Sequence, residues 1–186
     1  MTKNSGHTSG ISLGHDSHNS TSTCKDLPDD RRMVLSTRLL KSRVGRERQR
    51  YDDLTRLLVC IVVSRRKIDA SYEILLISSF KHQTQWIIPK GGWENDETVI
   101  ESALREANEE AGVTGEIVAS LGTLNFYSHR GKPCRFFGFQ LEVTQVFEHW
   151  AESTRQRKWV TFEEACELLE SRPELVEMVV RAANKI

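Results

Sequence analysis

The sequence predicts an α+β or α/β/α layered domain, and three observations carry that prediction. Short apolar runs of strand length recur through the middle of the chain. One stretch, RFFGFQLEV, alternates with period two. Three helix starts are marked by a hydroxyl residue followed three positions later by glutamate. Strands interleaved with a few helices bury their apolar faces by stacking in layers. At 186 residues the chain suffices for one domain of ordinary size plus a tail.

Taken in order, residues 1–30 are rich in Ser, Thr, Gly, Asn and His with almost no large apolar side chains, and are expected to stay disordered. His7, His15 and His18 are spaced irregularly there and read as solvated histidines rather than a metal tract. Residues 31–50 form a basic arm, eight Lys or Arg against the single acid Glu47, which reads as a solvated linker or a contact for a polyanion. The folded domain is expected over 51–186. LLVCIVV (57–63) and EILLISS (73–79) read as strands joined in a hairpin through SRRKIDAS. WIIP (86–89) reads as a short strand stopped by Pro89 and a turn at Gly91-Gly92. A helix near 99–111 is bounded by the Thr98/Glu101 capping-box spacing and by Gly112. The extended stretch GEIVASLGTLNFYS, with interspersed glycine, and the alternating RFFGFQLEV come next, then the short strand KWV (158–160). Thr161 with Glu164 and Ser171 with Glu174 open two C-terminal helices.

Net charge is zero, so no global field announces a polyanionic partner, although local segregation of charge is compatible with that balance. Cys24, Cys60, Cys134 and Cys166 contain no C-x-x-C pair and read as free thiols in a reducing compartment. The longest apolar run, 57–63, is too short to span a bilayer, and no signal peptide is visible. The expectation is a soluble, intracellular monomer with no membrane partner, cytoplasmic and in some circumstances nuclear.

The helix at 99–111 poses a physical question. Val99, Ile100, Ala103, Leu104, Ala107 and Ala111 make its buried stripe, while Glu106, Glu109 and Glu110 crowd its last turns. Like charges four apart repel, and carboxylates near a helix C-terminus oppose the macrodipole. Composition alone favours a solvated glutamate-rich face. A divalent cation would explain the crowding, and Mg²⁺ suits it, being a hard ion commonly shared between carboxylates and substrate phosphates.

The spacing decides between these readings. Gly91, Glu97, Arg105, Glu106, Ala107, Glu109, Glu110, Gly112 and Val113 stand at the positions of the Nudix box, which this stretch resembles; all seven positions that demand one residue type are met. The resemblance implies a Nudix α/β/α sandwich with a mixed sheet between helices, hydrolysing a diphosphate linked to another moiety with Mg²⁺, or Mn²⁺ in its place. It implies Glu106 and Glu110 as principal metal ligands and Glu109 as ligand or general base. Arg105 and Glu97 are implied as the pair that orients the loop and the ligands.

Over residues 44–183 the chain further resembles the diphosphoinositol polyphosphate phosphohydrolases, through RVGRERQRYDD, LLISSFKHQTQWIIPKGGWE, EHWAESTRQRKWVTFEEACELL and SRPEL. Phe80-Lys81 departs from a Ser-Arg of some members, and Lys90 from a Gly. The resemblance implies that Ser79, Lys81, Lys90, Gly91 and Gly92 line the phosphate approach. Arg56, Arg130, Arg155 and Arg172 would grip peripheral phosphates. Charge reads the same way: these cations, with His129 and Lys132, fall at strand ends and loops and would rim an acidic floor, which suits a small polyphosphorylated ligand. Trp86 and Trp159 read as core and Trp93 as a residue at the pocket mouth. No adenine clamp is obvious, Phe80 and Tyr127 being the aromatic candidates.

The expected activity is hydrolysis of phosphoanhydrides in diphosphoinositol polyphosphates, with diadenosine polyphosphates and inorganic polyphosphate as further substrates. A nucleotide-directed hydrolase of ADP-ribose, dinucleotides or capped RNA is the alternative enzyme. A non-catalytic phosphate- or RNA-binding module is the alternative of another class; the intact glutamate set argues against it, and the basic arm leaves RNA as a partner that is not favoured.

Overall fold

The computed structural model describes residues 39–186. The tail at 1–30, with its three histidines and Cys24, and the first part of the arm lie outside the described residues. The elements run β1 (Tyr51–Asp52), β2 (Thr55–Arg66), β3 (Tyr72–Ser78), β4 (Trp86–Ile87), β5 (Lys90–Gly92) and α1 (Val99–Ala111). They continue with β6 (Val113–Tyr127), β7 (Pro133–Val146), β8 (Arg157–Val160), α2 (Phe162–Leu168) and α3 (Pro173–Ala183).

The strand order β4-β3-β2-β7-β6 makes one sheet, to which β1 and β5 add on β2 and β8 on β3. β2 and β7 run parallel and every other pair antiparallel, so the sheet is mixed. β2 sits at its centre for a reason visible in its sequence. Leu57 through Val63 are apolar without alternation and all buried, as a strand covered on both faces requires. β7 instead reads both layers in turn: Phe137 packs edge-on against Trp93, while a Cβ at neighbouring Gly138 would run into Met178 of α3. α1 packs on β2, β5 and β6, and α2 and α3 pack together near β3 and β6. The fold is the α+β sandwich with a mixed sheet between helices.

Local chemistry corrects two expectations. Gly91-Gly92 is not a turn but strand β5, pairing with Val59 and Leu58. The glycines mark a close approach instead, because a Cβ on Gly91 would overlap the carboxylate of Glu106. Ser171 and Glu174 do not form a capping box. α3 begins at Pro173, whose fixed φ suits a first helical residue, and Arg172 at the N-cap makes no side-chain cap bond. Arg172 Nε donates to Glu174 instead, at 2.6 Å. The glycines of β6 fall at register shifts in its pairing with β7, near Gly115 and Gly122.

Candidate active site

The site starts from a well-bounded helix. Thr98 and Glu101 form a reciprocal capping box at the start of α1, and Gly112 closes its end in the left-handed region at φ 62°. Ala103, Leu104, Ala107 and Ala111 bury their stripe against the sheet. The same helix also buries Arg105, Glu106, Glu109 and Glu110. The acids therefore lie deeper than a rim position. Residues 39–43 and the 150–155 segment cover them: Leu39 N–H donates to Asn108, Arg43 N–H to Glu109, and Trp150 Nε1 to the Glu110 carbonyl.

Buried carboxylates need partners, and two arginines supply them. Arg105 Nε and Nη2 reach the two oxygens of Glu97 at 2.9 and 2.7 Å, and Nη2 also donates to the Gly92 carbonyl at 3.0 Å. Its Nη1 lies 2.8 Å from Glu106 and 3.5 Å from Glu109. Arg155 Nη2 lies 2.7 Å from Glu110, its Nε 2.6 Å from Glu152, and its Nη1 donates to the Ser78 carbonyl at 2.9 Å. The other oxygen of Glu110 accepts the Lys90 backbone N–H at 2.9 Å.

Burial, and after it the charge of Glu110, pushes the Glu106 carboxyl up to about 8. Burial likewise raises Glu110 and Glu109, against the pull of nearby cations. For Glu97 burial would raise the value too, but its bonds from Arg105 outweigh that and hold it below the usual range.

Arg105, Glu106 and Glu110 border a cleft of about 690 Å³. Glu106 and Glu110 face it with Gly91 and Gly92, while Arg56, Lys90, His129 and Arg172 bring positive or titratable groups to its walls. Arg56 donates to Gln49 at 2.7 Å, and among the described residues no carboxylate pairs with it. Burial lowers its guanidinium below the usual value, so an anion in the cleft would relieve it. Tyr127, 76% exposed, stands at the cleft's edge.

The remaining residues singled out from the sequence lie elsewhere. Arg155 is only 8% exposed and turned inward on Glu110, not outward as a rim cation. Ser79 and Lys81 lie on the loop after β3, and Arg130 on the β6–β7 turn, where none of them borders the cleft. Trp93 is not at the pocket mouth: it packs on the core and on Phe137, with its Nε1 on the Glu97 carbonyl. Glu109 does not share the cleft with Glu106 and Glu110. Successive helix residues diverge by about 100°, which turns Glu109 toward Arg43 and Arg105.

Among the described residues no group of three or more His, Cys, Asp or Glu side chains is arranged to hold a metal ion. Of the three glutamates, Glu106 and Glu110 border the cleft, and the donor chemistry of that pair fits Mg²⁺. Two hard-oxygen carboxylates raised chiefly by burial face the cleft, and Mg²⁺ is commonly held by one or two carboxylates plus waters and phosphates.

Sequence reading missed the basic arm's role. Arg43 binds Glu94 at 2.6 Å and Asp96 at 2.9 Å, and Arg48 binds Asp96. Arg50 donates to the Glu94 and Asn95 carbonyls and lies over Trp93. Residues 43–50 thus strap the loop that carries Glu97. Their regular basic character was visible, but the acids that consume it lie some fifty residues away.

Comparison with known proteins bears on the geometry. The model of the NUDIX domain matches residues 54–181. The chain belongs to the Nudix family. Among relatives of this Nudix hydrolase, Nudix hydrolase 21, chloroplastic, of Arabidopsis thaliana is 44% identical over 137 residues, 71% of this chain and 69% of the relative. Nudix hydrolase 12, mitochondrial, of the same plant is 40% identical over 70% of this chain and 74% of its own. Diphosphoinositol polyphosphate phosphohydrolase 3-beta of Bos taurus is 38% identical over 53% of this chain and 60% of its own. A solved Nudix hydrolase from Nitrosomonas europaea shares the fold at a TM-score of 0.60, with 17% identity over 70% of this chain and 90% of that one.

Several relatives are chloroplastic or mitochondrial by name, which corrects the cytoplasmic and nuclear expectation. That expectation rested on the lack of a long apolar segment, and organelle address signals are amphipathic, rich in Ser and Arg and without such a segment. No helix among the described residues is long and apolar enough to cross a membrane.

Proposed function

We propose that this Nudix hydrolase cleaves phosphoanhydride bonds in diphosphoinositol polyphosphates, and also in diadenosine polyphosphates and inorganic polyphosphate. One observation supports this reading most: a single cleft joins an acidic pair, Glu106 and Glu110, to cationic walls at Arg56, Lys90 and Arg172. A ligand with many phosphates can meet both, its scissile group toward the acids and its outer phosphates on the cations. The resemblance to a diphosphoinositol polyphosphate phosphohydrolase supports it independently.

Glu106 and Glu110 would hold a divalent cation, which when bound supplies positive charge on the reacting phosphoryl oxygens and makes water a better nucleophile. Arg105 holds Glu106 in place and, with Glu97, fixes the loop beneath it. Lys90 and Arg56 would take charge on nonbridging oxygens. Glu109 accepts the Arg43 N–H just outside the cleft and is the proposed proton acceptor for the attacking water, reached by rotation about its side chain. Ser79, Lys81 and Arg130 are proposed as outer contacts for ligands that overflow the cleft. The proposed division of the chain sets the catalytic domain at 51–186, behind the arm at 31–50.

Phosphate release from a panel of inositol pyrophosphates, diadenosine polyphosphates and ADP-ribose tests the reading. A kcat/KM highest for inositol pyrophosphates supports it. A preference for ADP-ribose or a dinucleotide would transfer the site to the nucleotide-directed reading, which the exposed ring of Tyr127 at the cleft edge favours as a base-stacking surface.

A further inference from the structure

We propose that Arg155 is a positioning residue for Glu110, held in register by Glu152 and Ser42, and not a contact for substrate. The inference rests on the reading of Glu110 as a ligand of the divalent cation and adds how that ligand is aimed.

The fork of Arg155 is spent inside the protein. Nη2 goes to Glu110 Oε1, Nη1 to the Ser78 carbonyl and Nε to Glu152 Oε2, at 2.7, 2.9 and 2.6 Å. With each of its three nitrogens engaged inside the protein and the residue only 8% exposed, Arg155 presents almost no surface to an outer phosphate. Glu110 is gripped at both oxygens, by Arg155 at Oε1 and by the Lys90 N–H at Oε2. That fixes the plane of its carboxylate and leaves one lone-pair direction on each oxygen for a further partner.

Glu152 fixes the arginine in turn. Its Oε2 takes Nε, its Oε1 accepts the Ser42 hydroxyl at 3.1 Å, and its backbone N–H donates to the Glu109 carbonyl at 3.1 Å. The Arg155 N–H closes the turn on the Glu152 carbonyl at 2.9 Å. Glu152 also offsets the charge of Arg155, so the cation beside Glu110 costs less in repulsion toward a divalent ion than an unpaired arginine would. A lysine could supply the charge, but its single nitrogen could not reach Glu110, Ser78 and Glu152 together as the planar fork does. Residues that orient a metal ligand typically change metal affinity or activity by 10–100-fold when replaced.

The test counts Mn²⁺ binding without substrate, by electron paramagnetic resonance of the free ion, for the full chain and for Glu152→Gln, Arg155→Lys and Glu110→Gln. Melting in chelator accompanies each. Glu152→Gln carries the test should Arg155→Lys fold poorly, because Glu152 lies at the surface edge with its side chain 22% exposed. The expected result is a Kd for Mn²⁺ raised roughly tenfold in Glu152→Gln and Arg155→Lys, with kcat lowered and KM for the polyphosphate little changed. Unchanged or tighter Mn²⁺ binding in both variants, while Glu110→Gln loses it, overturns the positioning role. A raised KM with unaltered Mn²⁺ affinity also overturns it, by returning Arg155 to the substrate. Glu110→Gln binding like the unaltered protein would instead overturn the underlying assignment of Glu110.

Discussion

Two buried arginines hold the acids of this Nudix hydrolase, and they do so by different routes. Arg105 and Arg155 have equally hidden side chains, each 7% exposed, and each divides its fork between carboxylates and one backbone carbonyl. Arg105 takes its partners from its own neighbourhood: Gly92, Glu97, Glu106 and Glu109. Arg155 gathers Ser78, Glu110 and Glu152, which only the fold brings together. The charge balance differs as well, three carboxylates against two. Glu152 lies partly open to water, whereas Glu97 and Glu109 do not. The difference assigns the Arg105 knot chiefly to the stability of the helix and loop and, on the role proposed above, the Arg155 knot to the aim of Glu110.

Removing the arginines separates the two roles most sharply. Arg105→Ala leaves Glu97, Glu106 and Glu109 buried without their cation, and should cost on the order of 3–5 kcal/mol in chelator, read by urea denaturation. Arg155→Ala should cost about 1–2 kcal/mol less, because Glu152 can turn to solvent. Equal losses would break the distinction.

The contact between Gly91 and Glu106 gives the next largest effect. Gly91→Ala pushes a methyl group into the Glu106 carboxylate, so either the strand or the acid must shift. A loss of about 1–3 kcal/mol is expected, with activity falling at least as far as that displacement moves the acid. Full activity at unchanged stability would mean that Glu106 is free to swing away.

The acids themselves are the third test. Burial, with the charge of Glu110, holds the Glu106 carboxyl near 8 in the metal-free fold, whereas in the unfolded chain it titrates near the ordinary glutamate value. Between those values the folded state retains a proton that the unfolded state has lost. Stability therefore falls as pH rises from about 4.5 to 8, by at most about 1.4 kcal/mol per pH unit for one group. Mg²⁺ should flatten that slope. A metal-free stability that rises across this window would contradict the burial of the acid pair.

Much of the Arg105 side was legible in the sequence, because its parts repeat at fixed short spacings. The capping residues, the apolar stripe and the glutamates of α1 can all be read from helical period, and its ends fall at Val99 and Ala111 as the caps predict. The alternation of β7 and the unbroken apolar run of β2 are equally plain. What stayed hidden depends on contacts between distant residues. Nothing at Arg155 announces that it turns toward Glu110, and nothing in residues 43–50 announces Glu94 and Asp96 as their partners. Glycine was misread for a related reason: a turn and a close approach both call for a missing side chain, and only Glu106 overhead tells them apart. The helical step turns Glu109 away from Glu106 and Glu110, but the Arg43 N–H that meets it there comes from a segment 66 residues distant.

The smallest expected effect concerns that cover. Arg43 is half-exposed, so its bonds to Glu94 and Asp96 are screened by water, and Arg43→Ala should cost only about 0.5–1 kcal/mol. Activity should fall more than stability implies, since the Arg43 side chain anchors the strap whose backbone N–H at the same residue seats Glu109. A neutral outcome in both would detach the arm from the site.

The central claim, that Glu110 is the acid on which hydrolysis depends, is tested most directly by Glu110→Gln. The substitution keeps the shape and the bond from the Lys90 N–H and removes a charge that repels Glu106, but it sets an amide NH2 against Arg155 Nη2 in place of the ion pair. Phosphate release in Mg²⁺ should be abolished, while the protein still folds in chelator with a loss of about 1–3 kcal/mol. Turnover retained at anything near the original rate, in a protein of unchanged fold, would contradict it.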